Sequence, residues 1–165
     1  MTALAGEMAE FFFPNFRYKW IFEETCEKLP LEIDFRLEAK NAQKCKEIFK
    51  GHDTIKVPNV YEQFTGPRVL VMSFEKGVSV TQVKELSKSG IDLKKVAHAI
   101  SEAFVHMIFK EGFVHGDPHP GNMFVRPKED NPGEIELVLL DHGIYSNLNE
   151  DTRVNYAKLW RGILN

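Results

Sequence analysis

Residues 113–125 read Phe113-Val114-His115-Gly116-Asp117-Pro118-His119-Pro120-Gly121-Asn122-Met123-Phe124-Val125, and Leu140-Asp141-His142-Gly143 follows further along the chain. Two prolines and two glycines make the middle of the first stretch a rigid, non-helical loop. Polar groups gather in it: His115, Asp117, His119 and Asn122. The second cluster stands directly after the apolar run Ile135–Leu140. A charge at the end of a buried strand is costly unless it is paired or bound to a cation. Two polar clusters at the ends of adjacent short strands can converge on one point.

The sequence on either side supplies the frame. Before the loop, Asp92 reads as a helix cap. Leu93, Val96, Ala97, Ile100, Ala103, Phe104, Met107 and Ile108 then recur at helical spacing up to Gly112. After the loop, Met123–Arg126 and Ile135–Leu140 read as two strands joined by a Pro- and Gly-containing turn. Residues 149–164 read as a closing helix. Upstream, a helix starts at Leu31 or Asp34, runs to about Phe49 and stops at Gly51, with Leu37, Cys45, Ile48 and Phe49 as its buried stripe. Val57–Tyr61 and Arg68–Phe74 read as an early β-hairpin, and 80–89 as a short polar helix closed by Gly90. Residues 3–13 and 18–29 carry helical periodicity, broken at Pro14 and Pro30. Strands and helices are segregated, with one sheet fragment early and one β-ribbon late, so the expected class is α+β.

Composition narrows the function classes. The chain has 165 residues, 43% of them hydrophobic, and includes 13 Phe, 4 Tyr and 2 Trp, so it folds as a globular domain. Lys plus Arg total 21 against 24 Asp plus Glu, a formal charge of -3, which excludes an overall nucleic-acid-binding surface. Cys26 and Cys45 read as reduced thiols of an intracellular protein rather than as a disulfide scaffold. No apolar run approaches the roughly 20 residues of a membrane span. The first 20 residues match neither a secretory signal nor a transit peptide. The Phe-rich stretch 11–16 reads as core or lobe-packing surface rather than a membrane anchor; peripheral membrane contact stays open.

Phosphoryl transfer wants a carboxylate to orient the attacking hydroxyl and Mg²⁺ to neutralise phosphate oxygens. Mg²⁺ takes one or two protein carboxylates plus the nucleotide. Asp141 and Asn122 offer suitable oxygens, and Asp117 is the free carboxylate. His-x-Asp-x-x-x-x-Asn followed, after a strand, by Asp-x-Gly is the pattern of protein-kinase-like folds. Either half alone is a weak signal; both in order are a specific one.

The full stretch His115–Asn122 with Leu140–Gly143 resembles the UbiB, or aarF-domain-containing, atypical kinases. So does Leu31-Glu32-Ile33-Asp34-Phe35-Arg36-Leu37-Glu38-Ala39-Lys40-Asn41-Ala42. The resemblance runs from about residue 12 to the end, and His142, where Phe is more usual, resembles the mitochondrial animal members. It implies a kinase-like fold, with residues 1–78 as part of the N-terminal lobe and 79–165 as the C-terminal lobe. It implies Asp117 as the catalytic-loop aspartate, and Asn122 and Asp141 as Mg²⁺ ligands beside ATP. Glu38 would be the regulatory-helix glutamate that pairs with a strand lysine. Glu32 and Asp34 match the family's Glu-x-Asp motif. Members are tied to ubiquinone biosynthesis and mitochondrial or plastid lipid handling, which implies a mitochondrial setting and quinone- or lipid-pathway partners.

The pattern also departs from the family. No glycine- or alanine-rich phosphate loop and no Val-Ala-x-Lys strand precede Glu38, and Lys19 and Lys28 lie in helical surroundings. The chain therefore reads as part of a larger enzyme, as a truncated product, or as a minimal enzyme. Bland readings stand beside the sharp ones. Asp117 also suits a turn opener, and Glu32 and Asp34 suit a solvated helix start. His115 and Gly143 read as structural parts of their loops, His119 as a shape-setting residue between prolines, and His142 as a packing residue. Three alternatives to a working kinase remain. One is a small-molecule phosphotransferase, against which the Glu32-x-Asp34 and Glu38-x-x-Asn41 pattern argues. Another is a pseudokinase scaffold. The third is a metallohydrolase built from His115, Asp117, His119, Asp141 and His142.

Overall fold

The computed structural model describes residues 34–164. The helices expected over 3–13 and 18–29, the Phe-rich stretch, Lys19, Lys28, Cys26 and Glu32 lie outside the described residues.

Asp34 is the cap of helix α1, Phe35–Ile48; its carboxylate accepts the Arg36 backbone N–H at 3.0 Å. The capping oxygen satisfies one of the backbone donors left over in a first helical turn. The buried face of α1 is Ala39, Ala42 and Cys45, continued by Phe49 just past its end. Cys45 and Phe49 match the expected stripe, Ile48 is partly buried, and Leu37 is half-buried. Two of these buried residues are alanines, which a reading weighted by hydropathy undervalues.

The expected early hairpin forms only in part. Tyr61 donates to the Val71 carbonyl at 2.8 Å and Ser73 to that of Asn59 at 2.8 Å, so the two arms do run antiparallel. Side-chain hydroxyls replace the other ladder bonds: the Asn59 amide donates to Ser73 Oγ and the Val71 amide to Thr65 Oγ1. A 3₁₀ turn at Glu62–Phe64 follows the first arm and takes up part of the connection. Local hydroxyl acceptors compete with strand pairing in this way.

The main sheet joins what the sequence separates. Strand β1, Ile55–Lys56, runs parallel to β5, Ile135–Leu139; β5 pairs antiparallel with β4, Met123–Pro127; and β4 pairs with β2, Val78–Ser79. The order is β1-β5-β4-β2, so early and late strands share one sheet that takes strands from both sides of residue 78. The reason lies in β5, where Ile135, Leu137, Val138 and Leu139 are all buried. A strand apolar on both faces belongs in the middle of a sheet.

The remaining helices follow the reading closely. Helix α2 is Val83–Lys88, and α3 is Leu93–Val105, capped by Asp92 through the Lys94 amide at 2.8 Å. The expected continuation to Gly112 is present, but as a wider π turn over His106–Glu111. Gly112 ends it at φ +66, where a Cβ would lie 2.8 Å from the Leu148 carbonyl, so only glycine fits. Helix α4, Glu150–Leu164, starts beside that turn, and Arg153 donates to the Phe109 and Lys110 carbonyls at 2.8 and 2.7 Å. A cation there satisfies carbonyls that have no helical partner.

A second ribbon was not expected. Phe113–His115, read as loop, is strand β3, and it pairs with β6, Tyr145–Asn147. Between the sheet and the helices, Val96, Ala99, Ala103 and Met107 of α3 and its π turn pack with Val125, Leu137 and Leu139. Full burial of one such large apolar side chain stabilises the fold by about 1.5–3 kcal/mol.

Candidate active site

The β4–β5 register decides what meets. Met123 is paired with Leu139, and the Leu140 amide donates to the Asn122 carbonyl at 3.0 Å. The end of the 116–122 loop and the start of the 140–143 segment are thereby side by side. Asn122 Nδ2 donates to Asp141 Oδ2 at 2.8 Å, and the Gly143 amide to Asp141 Oδ1 at 2.9 Å. Each carboxylate oxygen keeps further lone-pair capacity, and Asn122 keeps its amide oxygen.

His115 ties the two segments together from beneath. Its Nε2 donates to the Asp141 carbonyl at 2.9 Å and its Nδ1 accepts the Asp117 amide at 3.1 Å. Both partners fix the neutral Nε2–H tautomer. Gly116, between them, faces Ile144: a Cβ there would lie 2.7 Å from Ile144 Cγ2. His119 is exposed; its Nδ1 accepts the Gly121 amide at 3.1 Å and closes the short 3₁₀ turn Pro120–Asn122. The Asp117 side chain is exposed on this loop, joined to the cluster through its own backbone.

His142 is buried beside Asp141, at 1% exposure. Its Nε2 donates to the Leu139 carbonyl at 3.0 Å, and its Nδ1 accepts the Tyr145 hydroxyl at 2.9 Å. Burial, more than any neighbour, drops this imidazole to about 4. Burial likewise pushes the Cys45 thiol up to about 11, against a smaller pull from Tyr145, whose own hydroxyl is raised by the same burial.

Helix α1 covers the cluster from the other side. Glu38 Oε1 accepts the His142 amide at 3.3 Å, and Asn41 Nδ2 donates to the His142 carbonyl at 3.0 Å. Burial raises the Glu38 carboxyl, and the charge of Asp141 adds to the rise. Asp34 stands at the exposed start of the helix, paired with Arg36 at 2.7 Å, which lowers its carboxyl. The structure thus joins Glu38, His115, Asn122, Asp141, His142 and Gly143 in one hydrogen-bonded cluster, with Asp117 at its rim. Asn41, Tyr145 and Cys45 are contributors that the sequence reading left outside the site. For Asn41 a signal existed: it lies three residues after Glu38, on the same helix face.

The metallohydrolase arrangement finds no support in this geometry. His115 and His142 commit both ring nitrogens to protein partners, which leaves no imidazole lone pair for a metal. The described residues hold no group of three or more His, Cys, Asp or Glu placed to share an ion. The oxygens of Asp141 and Asn122 are a different, harder donor set. A polar cleft of about 600 Å³ lies elsewhere, among His52, Asp53, Lys56, Glu75, Arg126 and Glu136.

Comparison with known proteins places this geometry. Residues 1–165 match the family model of the ABC1 atypical kinase-like domain. Over 152 residues the chain is 43% identical to AarF domain-containing kinase 1 of Drosophila melanogaster, covering 92% of this chain and 29% of that protein. It is also 43% identical over 152 residues to probable serine/threonine-protein kinase abkB of Dictyostelium discoideum, covering 22% of that protein. The chain therefore spans less than a third of the length of these relatives. A solved structure of Rv3197 with erythromycin, from Mycobacterium tuberculosis, superposes with a TM-score of 0.65 at 24% identity, over 82% of this chain and 32% of that one, which shows the shared fold. With its α+β, kinase-like architecture, the chain belongs to the ABC1, or AarF-domain, family of atypical kinases.

Proposed function

We propose that this chain carries the metal-binding and catalytic loops of an atypical kinase that binds Mg²⁺-ATP and hydrolyses it or transfers its terminal phosphoryl group. The observation that carries this reading is the Asp141 carboxylate, oriented by the Asn122 amide and the Gly143 N–H at the end of the β4–β5 hairpin. A carboxylate and an amide oxygen suit a hard divalent cation. In this reading Asp141 and Asn122 hold the ion. Bound Mg²⁺ supplies charge neutralisation to the phosphate oxygens. Asp117, exposed on its loop, orients the attacking hydroxyl or water and accepts its proton. Glu38 acts from α1, where it already holds the backbone of the Asp141 segment. His115, His119, His142 and Gly143 keep the two loops in shape. Glu32 and Asp34 remain family-motif residues, and we keep the lobe division at residue 78.

A mitochondrial setting, and partners in quinone or lipid pathways, go with the family resemblance. Among the described residues no helix is long and apolar enough to cross a membrane.

Thermal unfolding of the intact protein tests the reading. Mg²⁺-ATP at about 100 times its dissociation constant adds roughly 2.7 kcal/mol of stability. Asp141→Ala removes that gain. No stabilisation of the parent by Mg²⁺-ATP sinks the proposal. Binding without turnover in the parent leaves the scaffold reading in its place.

A further inference from the structure

We propose that Asn41 is a positioning residue that sets the orientation of Asp141 through the backbone of residues 142–143. The inference rests on the reading of Asp141 as a metal ligand. It starts from two neighbours on α1. Glu38 and Asn41 are three residues apart, so they share one face of the helix. Glu38 accepts the His142 N–H at 3.3 Å. Asn41 Nδ2 donates to the His142 carbonyl at 3.0 Å and reaches that of Gly143 at 3.5 Å. An acceptor and a donor on one helix face thus read both polar groups of a single peptide segment. The two carbonyls require an N–H donor, which fixes which end of the Asn41 amide faces them.

The clamp reaches the carboxylate because the segment between cannot yield. The Gly143 amide, next to the carbonyls that Asn41 holds, donates to Asp141 Oδ1. His142 is pinned underneath by the Leu139 carbonyl and the Tyr145 hydroxyl. The Asp141 carbonyl is held by His115. A shift of α1 away from residues 142–143 releases the Gly143 amide, and with it one of the groups that aim Asp141. Asn41 touches neither reactant; it acts on the ion site through the backbone.

Two substitutions in the intact protein, Asn41→Leu and Asn41→Ala, remove the donor with different side-chain volumes. The first readout needs no ligand: amide hydrogen exchange at His142 and Gly143, with Leu137 in the core as the internal control. Loss of the clamp speeds exchange at residues 142 and 143 by about tenfold and leaves Leu137 unchanged. The second is the Mg²⁺ concentration that gives half of the ATP-induced rise in melting temperature. It moves up by about tenfold, while the response to metal-free ATP stays as in the parent. Parent-like exchange at residues 142 and 143 in both variants overturns the proposal. So does faster exchange with an unmoved Mg²⁺ midpoint, because the clamp then fails to reach Asp141. A parent that shows no Mg²⁺-ATP response at all sinks the metal reading instead. In that case the exchange data alone decide whether Asn41 holds the segment.

Discussion

The two loops of the candidate site are built in opposite ways. Residues 140–143 are gripped: Asp141 by Asn122, Gly143 and His115, and His142 by Leu139, Tyr145, Glu38 and Asn41. Residues 116–120 are exposed: the Gly116 and Asp117 amides tie the start of the loop to Ile144 and His115. The rest takes its shape from prolines and short-range hydrogen bonds, with every side chain left free of the neighbouring elements among the described residues. On the proposed function, the difference amounts to a division of labour. A group meant to hold an ion must be aimed in advance, since preorganised dipoles cost nothing to reorient during reaction. A group meant to meet an attacking molecule must be open to solvent and to that molecule.

The largest expected effect separates the loops by chemistry. In the intact protein, Asp117→Asn lowers ATP turnover by about 10²- to 10⁴-fold. The same change leaves the unfolding midpoint in place, because the side chain is exposed. A large loss of stability in that variant breaks the contrast.

The gripped loop behaves the other way in the next test. His142→Ala removes a buried ring and strands the Tyr145 hydroxyl and the Leu139 carbonyl, at a cost of about 3–5 kcal/mol in denaturant unfolding. The parent also carries a pH signature. Its imidazole titrates at about 4 when folded and near the usual 6.5 when unfolded. Between those values the unfolded chain binds a proton that the folded one refuses, so stability rises with pH through this window. It is complete above pH 6.5 and falls by about 3 kcal/mol on acidification to pH 4. His106, lowered chiefly by burial, adds to that slope, and Glu38, raised by burial, works against it. A stability curve of the same slope in His142→Phe refutes the assignment.

Smaller effects lie away from both loops. Arg126 bridges Glu136 and the largely buried Glu75 at 2.6 and 2.8 Å, and so ties β4 and β5 to the connector before β2. Arg126→Met costs about 2 kcal/mol, read by chemical denaturation, because Glu75 loses its cation and keeps only the Ser73 hydroxyl. At the far end of the scale, Arg36→Ala breaks an exposed pair with Asp34 and leaves the melting temperature where it was.

Much of this was legible in the residues, for reasons that differ by element. Asp92, the apolar spacing of α3 and the branched residues of β5 each carry a strong local signal. The pairing of Asn122 with Asp141 followed from polar clusters at the ends of adjoining strands. The β3–β6 ribbon was hidden because three residues are too few to display alternation. The parallel pairing of β1 with β5 joins segments about 80 residues apart, which no local pattern encodes. Asn41 stood in the family pattern and on the face of Glu38, but its role was hidden because its partners are main-chain carbonyls, which no side-chain pattern records.

Cys45 turns the underside of α1 into a place where motion can be timed. Its sulfur is wholly enclosed, and the thiol keeps its proton far above neutral pH. Alkylating reagents attack only a thiolate that they can reach. With every other cysteine replaced by serine, the rate at which iodoacetamide consumes Cys45 becomes a clock for the lifting of the helix. Slowing of that clock by nucleotide would register the closure of the site from a position that never touches it.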